Sequence, residues 1–358
     1  MIVKHKKLGF LRLLIEMRGS IVPAIAIHIL ASALLGVFAC LLIKQRYLNA
    51  AAADALKLSP SPFTALGVAI SLFLGFHNNA SYNRWWEARI LWGRQIIVTR
   101  DISRMLMATL NDDDDEIKIE GMDSEEDGWK GIIQSMNEIS QDVESNYTST
   151  NTITVNGWRE NIVRLACAHT HAFRYQMRPS CEMDGNTTAL NDRDRFLTRR
   201  EQNELMTSRN PANRILFMAS KILGSAHRRN LIDTYPMIHV QKSIDTLCEI
   251  QTACERIQNT SIPLAYSLLV HRTSFLYVLL VPFAIVDAVG WWTPLFTAIV
   301  AYTFFGLDQL AKEIQEPFND RPMCLALSAM ARVIEIDTME ALGQEPPQFL
   351  KPKFTILM

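Results

Sequence analysis

Neither an excess of charge of one sign nor a recognisable catalytic motif is present in this sequence of 358 residues. Lysine and arginine together number 36, aspartate and glutamate 37, and the formal net charge is −1. This balance argues against a dedicated nucleic-acid binder, whose contact surface needs an excess of basic side chains. No glycine-rich phosphate loop, serine–histidine–aspartate arrangement or pair of catalytic carboxylates stands in a motif context. We therefore expect a protein that is not an enzyme and that uses no cofactor.

Cysteine is scarce and scattered. The six cysteines are Cys40, Cys167, Cys181, Cys248, Cys254 and Cys324. None forms the Cys-x-x-Cys pair that is typical of zinc and redox sites, so we expect reduced thiols in a cytosolic setting and no metal site. His169 and His171 stand two apart in a predicted helix, where they would not share a face, and they are poor joint metal ligands.

Charged residues are also nearly absent from three long stretches. Residues 21–43 and 60–83 contain none, and residues 273–307 contain only Asp287. Crossing the hydrocarbon core takes roughly 20 mostly apolar residues, so the first two stretches each suit one membrane span. The third suits a hairpin of two spans that turns near Asp287, which makes four spans in all. A single re-entrant hairpin or a buried soluble hairpin remains an alternative for the last pair.

Basic residues flank these spans unevenly. The N-terminal flank carries five, five arginines follow the second span, and the turn near Asp287 carries none. By the positive-inside rule, both termini and the long middle region lie in the cytosol. The first apolar run is too long for a secretory signal, so we expect it to remain as a span.

These signals divide the chain into five regions and one insertion. The regions are a basic amphipathic cytosolic segment at 1–20, spans 1 and 2 at 21–83, a cytosolic helical region at 84–263, spans 3 and 4 at 264–310, and a cytosolic C-terminal segment at 311–358. The insertion, at about 112–155, begins with an acidic run and is predicted to be solvated and flexible. A calcium role is the alternative, although the aspartate spacing lacks the EF-hand pattern.

Two stripes of residues stand at helical spacing in the second span. Gly67, Ser71 and Gly75 recur every four residues, which is the small-residue pattern that lets helices approach closely in lipid. One residue further on, Val68, Leu72 and Phe76 form an apolar stripe with the same spacing. Several copies of such a helix, packed through the small residues, would direct the apolar stripe at a common axis and build a hydrophobic constriction. From spacing alone, a plain packed membrane helix remains an open alternative.

Three separated stretches of the chain together resemble the bestrophin family of ion channels, particularly its bacterial branch. They are SLFLGFHNNASYNRWWEARILWG at Ser71–Gly93, CERIQNTSIPLAYSLLVHRTSFLYVLLVPFAIVDAVGWWTPL at Cys254–Leu295, and FFGLDQLAKEIQEPF at Phe304–Phe318 with RVIE at Arg332–Glu335. Their order and spacing match the family, and the resemblance covers nearly the whole chain apart from the insertion.

The resemblance implies a homopentamer around one central pore, in a bacterial inner membrane, with four membrane helices and a large cytosolic helical region in each subunit. Its narrow neck would be lined by Val68, Leu72 and Phe76, and the second, cytosolic aperture by Met237, which follows Tyr235–Pro236. The implied partners are other copies of the chain, the lipid bilayer and permeant monovalent ions.

Polar residues follow the neck at once. Asn78, Asn79 and Asn83 either offer amide dipoles to ions or make capping and inter-helix hydrogen bonds near the membrane edge. Arg84, followed by two tryptophans, is predicted to be an interfacial anchor and ion-pair partner rather than an attractor of anions.

The chain departs from the calcium-gated animal members of the family after Pro317–Phe318. There a run of acidic residues helps to hold calcium, whereas here Asp320 is the one carboxylate and Arg321 follows it. Calcium takes six to eight oxygen ligands, so we expect no calcium activation through this site.

We therefore predict an all-α, four-span, homopentameric channel for small monovalent ions, with chloride favoured over cations. A secondary transporter is one alternative, but no internal repeat is visible. A membrane-anchored helical scaffold is another. An intramembrane enzyme would need polar catalytic residues within the spans, and His28, His77 and Asp287 stand isolated.

Overall fold

The structure is a computed structural model that describes residues 20–44, 60–109, 157–178 and 186–351. Throughout these ranges the regular structure is helical and contains no strand, which confirms the predicted all-α class. The predicted insertion at 112–155 lies outside the described residues, as does all of the predicted N-terminal segment except Ser20.

Ten α-helices make up the described part of the chain. They are α1 (Val22–Lys44), α2 (Pro60–Arg104), α3 (Trp158–Met177), α4 (Asn186–Asp194), α5 (Arg199–Met206), α6 (Pro211–Arg228), α7 (Thr234–Asn259), α8 (Leu264–Val289), α9 (Thr293–Ile314) and α10 (Leu327–Ala341). A π-helical turn at Met105–Thr109 extends α2, and a 3₁₀ turn at Gly290–Trp292 joins α8 to α9.

Helix α2 has no break where the sequence predicted the change from membrane span to cytosolic helix. It runs for 45 residues, which at 1.5 Å per residue corresponds to about 66 Å. Neither glycine nor proline occurs between Phe76 and Gly93 to interrupt it. A hydrocarbon core is about 30 Å thick, so a helix of this length that enters a bilayer must also extend well outside it.

The chain divides into two compact units. The described part of the first consists of residues 20–44, 60–90 and 256–326. The described part of the second consists of residues 91–109, 157–178, 186–255 and 327–351. Both α2 and α7 contribute residues to each unit.

The first unit contains the apolar helices. Two segments of the described chain are long and apolar enough to cross a membrane, Val22–Ile43 and Leu264–Ile314, and the second segment holds both α8 and α9. The N-terminal part of α2 does not meet that criterion of length and hydropathy. The count of four spans therefore stays a prediction.

Close helix contacts hold the first unit together. Helix α1 packs along α9 so closely that a Cβ at Gly36 would lie 2.8 Å from the Cα of Pro294. Gly290 ends α8 with φ of 60°, a conformation in which a residue without a side chain is not strained. The apolar core of this unit comprises Ile25, Ile70, Leu74, Val270, Val278, Ala301, Phe304 and Phe305.

The second unit is built around α3, most of whose side chains are buried. Helices α4, α6 and α10 pack on it. The buried guanidinium of Arg164 binds both carboxylate oxygens of Glu201 at 2.9 Å, and Glu201 also closes a capping box with Thr198 at the start of α5. Such a pair fixes geometry, because removing one partner would leave a buried charge without compensation.

Candidate functional site

One side of the N-terminal part of α2 is buried in the first unit. Ile70, Leu74, His77 and Ser81 recur at spacings of three and four residues and are between 0 and 4% exposed. This side packs on α8, from which the Tyr266 hydroxyl donates to the carbonyl oxygen of Phe73 at 3.0 Å. The buried stripe therefore fixes the orientation of α2 within its own subunit.

The predicted neck residues lie on the opposite side of the same helix. Val68 is 67% exposed, and Leu72 and Phe76 are each 57% exposed. At 100° per residue, their stripe points about 170° away from the buried side. The structure thus brings the three side chains together on one outward, apolar face, more than half exposed in the described part of the chain.

The predicted small-residue stripe is divided between these two environments. Gly67 is buried, and a Cβ there would lie 2.5 Å from the hydroxyl oxygen of Tyr277. Ser71 is exposed, and its hydroxyl donates to the carbonyl oxygen of Gly67 at 2.7 Å. Gly75 is exposed, and apart from its own turn of helix no atom of the described residues lies within 4 Å of where its Cβ would be. Gly67 therefore serves packing within the subunit, and packing of Ser71 and Gly75 against a second copy stays a prediction.

The three asparagines differ in their surroundings. Asn78 is half-buried and donates from Nδ2 to the carbonyl oxygen of Leu74 at 2.9 Å, as in the hydrogen-bonding alternative. Asn79 and Asn83 are exposed on the same outward side as the neck residues. Of the three amides, these two are free to meet an ion.

Arg84 is bound to the C-terminal ends of two helices. Its guanidinium donates to the carbonyl oxygens of Ile257 at 2.6 Å, Thr260, and Gln315 at 3.1 Å. Helix α7 ends at Asn259 and α9 at Ile314, where the last carbonyls lack helical partners and carry partial negative charge. Arg84 is therefore a helix cap, with hydrogen bonds to main-chain carbonyls in place of the expected ion pair.

Met237 belongs to the second unit, in the first turn of α7. It is half-buried, and its main-chain N–H donates to the carbonyl oxygen of Asp233 at 3.1 Å. Tyr235, just before it, is 88% exposed. An aperture role for Met237 stays a prediction.

A polar cluster in the first unit was missed by sequence reasoning. One carboxylate oxygen of Asp308 lies 2.8 Å from His271 Nδ1 and 2.7 Å from Lys312 Nζ. Asp308 and Lys312 stand four apart on α9, a spacing that signals a helical ion pair and could have been found. His77, an isolated candidate in the sequence, is buried nearby on α2, and its Nε2 lies 3.4 Å from the Ser267 hydroxyl.

The second unit buries several ionisable groups. Burial raises the pKa of Glu335, and the positive charge of Arg332, 3.0 Å away, partly offsets this effect. Burial lowers the pKa of His169 to about 4, partly offset by a hydrogen bond with Gln251. His169 and His171, the two histidines of α3, are both buried in this packing. We therefore assign them a structural role.

A metal site needs several ligating side chains close together. Within residues 20–44, 60–109, 157–178 and 186–351, no three histidine, cysteine or acidic side chains come together as a possible metal site. The cysteines described there are free thiols, namely Cys40, Cys167, Cys248, Cys254 and Cys324, and Cys181 lies outside the described residues.

Comparison with known proteins yields consistent matches. The family model described as Bacterial/Fungal Bestrophin protein matches residues 1–124 and 126–340. A protein of Mesorhizobium japonicum, named a voltage-dependent anion channel-forming protein, is 31% identical over 350 residues, which cover 98% of this chain and 95% of that protein. A protein of the same description from Salmonella typhi is 30% identical over 342 residues, covering 95% and 93%.

Solved structures agree with these matches. The crystal structure of a bacterial bestrophin homologue from Klebsiella pneumoniae superposes with a TM-score of 0.71 at 28% sequence identity. The superposition covers 90% of this chain and all of that one.

Proposed function

Because the chain belongs to the bacterial/fungal bestrophin family, we propose that it is a membrane channel for small anions, with one pore enclosed by five copies. Val68, Leu72 and Phe76 line the neck of this pore. Chloride is the favoured permeant ion, in keeping with relatives that are named as anion channel-forming proteins.

The single observation that carries the proposal is the outward apolar face of α2. Its other side is occupied by the core of the subunit, so the exposed stripe is left to face lipid, a second copy or a lumen. We propose the lumen. In a cyclic assembly every copy presents the same face to the same axis. Five copies of one stripe then make three stacked rings of valine, leucine and phenylalanine.

Such rings gate by being narrow and by shedding water, because they offer no charge or hydrogen bond to replace the hydration shell of an ion. The exposed amides of Asn79 and Asn83, one to two turns beyond Phe76, supply dipoles where an ion leaves the neck. The bonds of Arg84 to the ends of α7 and α9 hold α2 in the position that the neck requires.

Met237 forms a second, cytosolic aperture in this proposal. Its thioether side chain is flexible and polarizable, so a ring of five gives a soft constriction rather than a rigid one.

The four spans are 21–43, the first part of α2, α8 and α9, and both termini lie in the cytosol of a bacterial cell. Calcium has no role at Pro317–Phe318, since Asp320 alone supplies a carboxylate in the residues just after it.

Purified protein in a planar bilayer tests the proposal. We expect single-channel currents. In a salt gradient, we expect a reversal potential shifted from zero towards the equilibrium potential of chloride. Five copies of the 40.7 kDa chain should have a mass of about 204 kDa in detergent, after correction for the detergent. A stable monomer or dimer, or no conductance even with Leu72 and Phe76 both replaced by alanine, would overturn the proposal.

A further inference from the structure

The outward face of α2 changes from apolar to polar beyond the neck. Three helical turns take 10.8 residues, so a residue eleven positions further along points to within about 20° of the same direction. Eleven residues after Val68, Leu72 and Phe76 stand Asn79, Asn83 and Glu87. Each neck residue is therefore followed, three turns further along the helix, by a polar residue that points in nearly the same direction. The one that follows Phe76 is the carboxylate Glu87.

Glu87 is exposed in the single chain, as are Asn79 and Asn83. Its Cα lies about 16 Å beyond that of Phe76 along the helix axis. In a pore built from five copies of α2, this direction places five carboxylates in the passage just past the constriction. A ring of acidic side chains selects for cations, which opposes the proposed preference for anions.

A second helix neutralises this carboxylate. Arg256, in the last turn of α7, places Nη2 2.5 Å from Glu87 Oε1. Both side chains are exposed, Glu87 by 47% and Arg256 by 64%, so the pair sits at the surface rather than in the core. Both residues belong to the first unit.

We propose that Arg256 is a selectivity-determining residue of the channel, acting by cancelling the charge of the Glu87 ring beyond the neck. This inference rests on the proposed pentameric pore. With Arg256 in place, the passage carries five neutral ion pairs and an anion meets no net repulsion. Without it, an anion leaving the neck meets five carboxylates that have lost this partner and keep only the charge of Arg84 nearby, which also acts on Glu87. At close range such charges are only partly screened by salt.

The test is the reversal potential of the purified channel in a potassium chloride gradient. Arg256→Gln should lower the chloride-to-potassium permeability ratio by about threefold or more, because the carboxylate ring then repels an anion and attracts a cation a few ångströms away. Glu87→Gln, which leaves Arg256 unpaired, should raise the ratio. The double variant Glu87→Gln/Arg256→Gln should return it close to the wild-type value.

Salt separates a charge effect from a structural one. The shift caused by Arg256→Gln should shrink in 1 M salt, where the Debye length falls to about 3 Å. Arg256→Lys keeps the charge and should keep the wild-type ratio. The matched control is Arg214→Gln, which breaks the partly exposed pair with Glu204 in the second unit and should leave the ratio unchanged.

The possible outcomes separate a failure of the role proposed for the Glu87–Arg256 pair from a failure of the channel proposal. A wild-type protein that conducts, with single variants at Glu87 and Arg256 that both keep its permeability ratio, would overturn the role of the pair and leave the channel standing. Shifts of the same sign in both single variants would overturn it as well. If Arg256→Gln fails to assemble, the opposite shift expected of Glu87→Gln still decides the question. A wild-type protein without conductance refutes the channel itself.

Discussion

The Nε of Arg84 on α2 donates to the carbonyl oxygen of Gln315 just past the end of α9, at 3.1 Å, although 231 residues separate them in the chain. The same guanidinium also binds the carbonyls of Ile257 and Thr260 at the end of α7. One side chain thus ties the predicted pore helix to two others.

Replacing Arg84 should destabilise the protein. Arg84→Ala removes three hydrogen bonds to carbonyls, and at about 1 kcal/mol each this lowers the free energy of unfolding by about 2–4 kcal/mol. Arg84→Lys cannot reproduce the fork of donors and should recover only part of the loss. Thermal unfolding in detergent measures both. Full stability of Arg84→Ala, with lost conductance, would instead favour a direct role in attracting anions.

Shortening Phe76 should widen the neck. Phe76→Ala is expected to raise unitary conductance by about twofold or more, because a ring of methyl groups leaves room for hydrated ions. Phe73→Ala is the matched control, since Phe73 is a similarly exposed phenylalanine about 60° further round the same helix. Single-channel recording compares the two variants. Equal increases would contradict the assignment of the pore face.

A methyl group at Gly36 should disturb the contact between α1 and α9. The added Cβ would meet the Pro294 backbone at 2.8 Å, and overpacking of this kind costs about 1–3 kcal/mol. Gly36→Ala should therefore lower the thermal midpoint in detergent. Gly224→Ala is the control, because its Cβ would meet only the end of Arg228 at 3.6 Å. A midpoint for Gly36→Ala at or above wild type would show that the two helices can separate without cost.

Stability should fall as the pH is lowered from about 6.5 to about 4. Burial lowers the pKa of His169 to about 4, from 6.5 when unfolded, so the unfolded chain binds the proton first. The stabilisation is complete above pH 6.5 and is lost as pH falls towards 4, by at most about 3 kcal/mol for this group. Thermal midpoints measured across this range should show a shallower slope for His169→Gln than for wild type.

Calcium removal should leave the current unchanged. After Phe318 the nearby residues offer Asp320 and then Arg321, which would repel a cation. Bilayer currents are therefore expected to be equal in the presence of a chelator and of added calcium. A current that disappears on chelation and returns with calcium would show that oxygen ligands come from another part of the chain.

The stripes on α2 were predictable because helical period is a local property. Val68, Leu72 and Phe76 share a face in any α-helix that contains them, whatever lies around it. The extent of α2 was less predictable, because the return of charged residues after Asn83 marks a change of environment without stopping the helix. Glycine and proline are the strongest signals of a helix end, and neither occurs between Phe76 and Gly93.

Contacts between distant segments could not be read from the chain. Arg84 followed by two tryptophans was typical of an interfacial anchor, whereas its partners are main-chain carbonyls more than 170 residues away. A main-chain carbonyl acceptor gives no signal in the amino-acid sequence, because every residue has one. Asp308 and His271 likewise meet across two helices, although the ion pair of Asp308 with Lys312 on one helix was visible in their spacing.

The sequence by itself determined the helical class, the apolar segments, the family and the grouping of three neck residues on one stripe, because each depends on composition or on order along one helix. Tertiary structure decided which side of α2 is buried, since that depends on where α8 packs. It also decided that Arg84 caps two helices and that Arg256 meets Glu87. Those pairings depend on the folded path that brings distant helix ends together.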